Sequence, residues 1–164
     1  MEDIERIERF LQDVIVVELS KMLGMGLSYM PFVAMGQAIE VLGSFLDRKP
    51  MKAREQSAKR FAACVNKLLG GRYRLLNEKN RLYDTLRNQM THAFLPGENA
   101  LLLDRSTNRQ GYAHLQEVDG KLVLISEDFH EDLCRAVDRL LAALREGRLE
   151  AKAISYAGAA KITG

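Results

Sequence analysis

Cysteine, proline and histidine are all scarce in this 164-residue chain, at two, three and three residues, and tryptophan is absent. The two cysteines, Cys64 and Cys134, lie far apart in apolar helical contexts and form no Cys-x-x-Cys pair. Neither a disulfide framework nor a zinc site is indicated, and a reducing cytoplasm is the expected compartment. No glycine-rich phosphate loop with its lysine, no Gly-x-Ser-x-Gly elbow and no His-Glu-x-x-His pair occurs, so no cofactor and no metal is expected. The N-terminus, MEDIERIERF, is acidic and amphipathic rather than basic with an apolar core, which does not fit a signal peptide. Charge is missing from Met22 to Ile39, long enough to raise the question of a membrane span. Gly24, Gly26, Ser28, Pro31 and Gln37 interrupt that stretch and divide it between two helices, so no membrane partner is expected.

What is present is an ordinary globular balance, 47% hydrophobic and 28% charged, in a chain of 18.5 kDa that suits one domain. Such a chain buries roughly two thirds of its unfolded surface and needs no staple. The net charge of +2 hides an asymmetry: residues 48 to 92 hold twelve Lys and Arg against three acidic residues, or +9, which leaves −7 for the rest. A polyanion such as RNA is one partner that fits, and a set of solvated helix faces is the other reading.

Apolar spacing predicts about five helices. Ile4, Ile7, Leu11, Val14, Ile15 and Leu19 mark one over about 3–23, and a nearly all-apolar one follows over 31–47 with Pro31 in its first turn. A third is expected at 54–69 before Gly70-Gly71, a fourth at 75–94 and a fifth at 126–146 opened by Ser126, Glu127 and Asp128. Between the last two, ALLLD, YAHLQEV and KLVLIS predict a small antiparallel hairpin or meander over about 99–126, with Asp119-Gly120 as a tight turn. The fold class is therefore mainly α, an antiparallel bundle over 1–147 with a β insertion. Residues 148–164 are expected to be a tail that stays loose unless a neighbour holds it.

The fourth helix carries the candidate chemistry, the other reading being that Arg87 is a salt-bridging residue and His92 a cation favoured at a helix C-terminus. Leu82, Leu86, Met90 and Ala93 fall on one stripe, while Arg87 and His92 lie ~140° apart on an ideal helix and frame the opposite face. One copy separates them, but two copies across a two-fold axis would gather both pairs around one groove, so a homodimer is expected. The residues RNQMTH, 87–92, resemble the Arg-Asn-x-x-x-His form of the Arg-x(4 to 6)-His signature of HEPN domains, and helices over about 3–146 are similar to that family's bundle. The resemblance implies Arg87, Asn88 and His92 as the active trio of a metal-independent endoribonuclease that leaves a 2′,3′-cyclic phosphate. It equally implies a non-catalytic module that binds nucleotide, nucleic acid or a partner protein, because the superfamily contains both. In the enzyme, His92 would exchange protons, Arg87 would hold phosphate and Asn88 would orient or donate.

Four further expectations concern side chains. Glu40, the sole charge of the second helix before Asp47, wants a partner, and a structural pairing with Arg87 is expected. Tyr73 and Tyr83, interleaved with Arg72, Arg74, Lys79 and Arg81, suit base stacking beside phosphate contacts, with Tyr73 the better candidate and Tyr83 nearer the core stripe. Anchoring the bundle is the alternative for Tyr73. Glu127, His130 and Glu131 share a helix surface, but a solvated first turn outranks a metal site. His114 has no evident partner.

Overall fold

In the computed structural model the described residues are 1–90 and 98–158. Helix α1 (Glu2–Leu11) opens with Glu2, Asp3 and Glu5, acidic residues that favour the positive end of a helix dipole. It continues through a wide π-helical stretch, Gln12–Glu18, into α2 (Leu19–Gly24). Ile7, Leu11, Ile15 and Leu19 are buried, so the apolar spacing read in the sequence marks the inner face. His130 donates from Nε2 to the Ile15 carbonyl within the wide stretch, at 2.9 Å, and thereby uses a backbone acceptor of the π turn.

Gly26, at φ 70°, ends this segment, and α3 (Met30–Ser44) follows with Pro31 in its first turn. The uncharged Met22–Ile39 run is thus split between two helices. Among the described residues no helix is long and apolar enough to cross a membrane. Buried residues lie almost all round α3, and two of them are glycines that allow backbones to touch. A Cβ on Gly43 would stand 1.8 Å from the Arg60 carbonyl oxygen, and one on Gly36 would stand 2.7 Å from that of Leu86. Only a residue without a side chain permits either crossing.

Helix α4 (Ser57–Cys64) runs into a π-helical Val65–Leu69 and stops at Gly70, φ 66°. The helix expected at 75–94 is two separate pieces. Helix α5 (Gly71–Leu76) ends early, Lys79 and Asn80 take left-handed φ values of 54° and 60°, and α6 (Arg81–Tyr83) begins after them. Asn77 explains the restart, because its Oδ1 accepts the Tyr83 backbone N–H at 3.0 Å, satisfying a donor that a helix start leaves open. Helix α6 passes directly into a third π-helical stretch, Asp84–Gln89, which holds Arg87.

Strands β1 (Ala100–Leu103), β2 (Glu117–Val118) and β3 (Lys121–Ile125) form a sheet in the order β1-β3-β2. Strands β2 and β3 are antiparallel around Asp119 and Gly120, whose φ values of 50° and 76° suit a tight hairpin. Strand β1, however, runs parallel to β3 from Ala100↔Leu122 to Leu103↔Ile125, so the sheet is mixed and not the expected antiparallel meander. The physical reason is the excursion over 104–116, which returns the chain so that β3 lies between β1 and β2. The strand expected at 112–118 shrinks to two residues because Leu115 turns at φ 67°, burying its side chain while its N–H bonds the Val123 carbonyl.

Helix α7 (Ser126–Arg145) buries Phe129, Leu133, Val137, Leu140 and Leu144 against α1 and α3. Residues 148–158 are held by neighbours. Lys152 donates to the Ser44 and Lys49 carbonyls and to Asp47, Arg6 reaches the Ile154 carbonyl, and Tyr156 donates to Asp13 and meets Phe10 edge-on at 5.2 Å.

Candidate functional site

The site starts with the close contact between Gly36 and Leu86. Because α3 and the 84–89 stretch touch backbone to backbone at Gly36 and Leu86, Glu40, one turn after Gly36, meets Arg87, the residue after Leu86. Arg87 donates from Nε to Glu40 Oε2 at 2.6 Å, and both side chains are four-fifths buried or slightly more, at 16% and 19% exposure. Glu40 therefore has the partner expected from the sequence. Ser57 Oγ donates to the same Oε2 at 2.7 Å, and Tyr83 donates its phenolic proton to Ser57 Oγ at 3.1 Å. Tyr83 is fixed in turn by an edge-on contact with Phe61, ring centres 5.4 Å apart. Tyr83 is a half-buried supporting residue, in line with the packing role weighed for it.

Arg87 makes no other hydrogen bond among the described residues, which leaves its two terminal amino groups available. Asn88 and Gln89 beside it are exposed, whereas Leu82, Leu86 and Met90 are fully buried, as the stripe read from the sequence has them; its fourth member, Ala93, lies outside the described residues. His92 lies in 91–97, outside the described residues.

Tyr73 is not available for stacking. It is 5% exposed and lies parallel to Phe129 at 5.9 Å. Its hydroxyl belongs to a buried chain that also gives His114 its partners. The Ile125 N–H donates to His114 Nδ1 at 3.0 Å, which leaves the neutral ring's proton on Nε2, donated to the Tyr73 oxygen at 2.9 Å. Tyr73 then donates to Asp132 at 2.6 Å. Burial, then the bond to Asp132, drives the Tyr73 hydroxyl far above its ordinary range. Burial pulls His114 below its ordinary value, against the opposing pull of Asp132 and Asp128. This chain joins the sheet to α5 and α7 and is structural.

The other basic candidates divide. Arg81 is paired with Glu117 at 2.6 Å and Arg74 donates to the Asn66 carbonyl, whereas exposed Arg72 and Lys79 have no ion pair among the described residues. Arg60, in the same cation-rich segment, is wholly internal: it grips Asp47 through Nε and Nη2 and the Met51 and Pro50 carbonyls through Nη1 and Nη2. Burial alone would raise the Asp47 carboxyl, but the bonds from Arg60 and Lys152 hold it far below the usual carboxylate range. Glu127 and Glu131 serve Arg105, through its N–H and its guanidinium, and His130 serves Ile15. No metal-binding group of three His, Cys, Asp or Glu exists among the described residues. Cys64 is buried and its thiol is pushed well up, so it is inert.

The sequence did not suggest an apolar groove between α1–α2 and α3, of about 630 Å³, lined by Phe10, Val14, Leu19, Met22, Ala38 and Val41. Glu18 and Lys21 stand on its rim, and Met25 and Val17 near it are 73% and 43% exposed. At ~100° per residue, Glu40, exposed Gln37 and Val41 succeed one another around the free side of α3, so the groove and the Arg87 pair flank one surface.

No protein-family model matches this chain, and no curated protein or solved structure matches it.

Proposed function

We propose that this protein binds RNA as a HEPN-like homodimer and cleaves it without metal, with Arg87 holding a backbone phosphate, His92 transferring protons and Asn88 donating to phosphate or orienting the histidine. The observation that carries this reading is the state of Arg87. A guanidinium fixed through Nε alone, with its terminal amino groups unengaged, presents the planar fork that phosphate oxygens accept. Its place in a π-helical turn agrees, since such turns recur at functional sites. Arg72 and Lys79 would extend the contact along the nucleic-acid backbone. The second copy would sit on the apolar groove. Glu18 and Lys21 on its rim pair with each other at 3.0 Å, so the groove itself is apolar, and the shared free side of α3 would bring the two Arg87 sites near the two-fold axis.

The alternative is a non-catalytic module that binds nucleotide, nucleic acid or a partner protein. The Glu40 ion pair favours it, because a neutralised arginine stabilises less charge on a reacting phosphate. The deciding experiment is cleavage of labelled single-stranded and transfer RNA in EDTA by the parent protein and His92→Ala. Cleavage with cyclic phosphate ends that vanishes in the variant supports the enzyme. Cleavage only with added metal would refute the mechanism, and binding without cleavage would favour the module.

A further inference from the structure

We propose that Ser57 and Tyr83 are positioning residues for Arg87, acting through Glu40 to hold its guanidinium with the terminal amino groups toward a phosphate. The inference deepens the proposed function and rests on Arg87 being the group that takes the phosphate.

The direction of every bond in the relay is forced. An ionised carboxylate only accepts, so the single Ser57 hydroxyl proton goes to Glu40, at 2.7 Å, and Ser57 can only accept from Tyr83, at 3.1 Å. Arg87 Nε–H then meets an oxygen, Oε2, already fixed by a second donor. With Oε2 held by Ser57, the carboxylate meets Arg87 through that one oxygen, and the terminal amino groups of Arg87 have no hydrogen-bond partner among the described residues. The relay therefore keeps the pair single-pronged.

Its far end is equally fixed. Tyr83 is held by its backbone N–H to Asn77 Oδ1 at 3.0 Å and by its ring against Phe61. Tyr83 stands four residues before Arg87 on the same helical segment, which restarts at Arg81 after the break at Lys79 and Asn80. Three segments distant in sequence thus converge on one guanidinium: α3 with Glu40, the start of α4 with Ser57, and the motif helix with Tyr83. The structural Arg60–Asp47 pair, by contrast, meets both carboxylate oxygens and fills the guanidinium.

The test compares the parent with Ser57→Ala, Tyr83→Phe and Ser57→Thr by two readouts: anisotropy binding of a single-stranded RNA over a salt series, and the Arg87 Nε–Hε cross-peak in 15N NMR during titration with inorganic phosphate. Ser57→Ala and Tyr83→Phe are expected to weaken RNA about tenfold, the loss of one oriented hydrogen bond. Their salt slopes should match the parent's, because no charge is removed. Their Arg87 Nε–Hε peak should broaden by exchange, with a weaker phosphate response, and Ser57→Thr, which keeps the hydroxyl, should restore parent behaviour. Equal phosphate response and equal RNA affinity in the parent and Ser57→Ala would overturn the positioning role and leave the functional reading standing. A parent that responds to phosphate at Arg87 but binds no RNA would overturn the RNA reading alone. No phosphate response at Arg87 in the parent would overturn the positioning role.

Discussion

Two arginines of the cation-rich segment, Arg60 and Arg87, are each paired with a carboxylate from or just beyond α3, and they are used in opposite ways. Arg60 is 4% exposed and all three of its nitrogens are occupied, by both Asp47 oxygens and by two loop carbonyls. Lys152 completes that clamp from the C-terminal segment. Arg87 touches its carboxylate through Nε only, and its carboxylate is steadied by a serine instead of being shared with a second cation. A filled guanidinium is a structural bolt between loops, whereas the terminal nitrogens of Arg87 have no partner among the described residues. In sequence the two are indistinguishable; the count of occupied donors separates them.

The largest effect should come from the filled member. Arg60→Ala leaves Asp47 with Lys152 and the Lys49 N–H, takes a donor from each of two carbonyls, and should destabilise the fold by about 3 kcal/mol, read as a lowered urea midpoint. An unchanged midpoint would break the comparison. Next, Tyr73→Phe removes the hydroxyl between His114 and Asp132 and should cost about 2 kcal/mol without weakening RNA binding. A selective loss of RNA affinity there would restore Tyr73 as a contact residue. Gly36→Ala pushes the motif helix off α3 and should cost roughly 1–2 kcal/mol. It should also loosen the Glu40–Arg87 pair, visible as faster exchange of the Arg87 Nε–Hε proton. Arg87→Ala should cost only about 1 kcal/mol of stability, since Glu40 keeps Ser57 and partial solvent. It should nevertheless weaken RNA binding by more than tenfold and lower the salt slope by about one.

Acid sharpens the contrast further. The folded value of His114 is lowered, so the unfolded chain takes up its proton first, and stability is full above pH 6.5 and falls as pH drops below that value toward the folded one. The lowered Asp47 carboxyl acts with the same sign in a more acidic window: its contribution is complete above about 3.8 and is lost below it. Urea midpoints should thus decline in two separate steps, and His114→Gln should remove the upper one. A persistent upper step would assign it elsewhere.

Much of the helical core was legible because burial enforces a period. The stripes Ile7, Leu11, Ile15, Leu19 and Leu82, Leu86, Met90 are buried where the spacing put them. The Glu40–Arg87 pair was legible for a related reason, since a lone carboxylate in an apolar helix requires a counter-ion. The helix break before Arg81 was missed, although Asn77 and Asn80 were its signal, as residues that cap helices and tolerate left-handed backbone. Gly36 and Gly43 were also informative, as small residues within an apolar helix, but which helices they admit depends on distant segments.

The sequence by itself determined the mainly helical composition, the helix cores and the Asp119-Gly120 turn, because those follow from periodicity and backbone preference within a few residues. Only the tertiary structure decided that β1 runs parallel to β3, that Tyr73 is internal, that Lys152 belongs to the Arg60 clamp and that Arg87 is supported by Ser57 and Tyr83. Each of these joins residues separated by tens of positions, and hydrogen bonds between such residues exist only after packing has brought their donors and acceptors together.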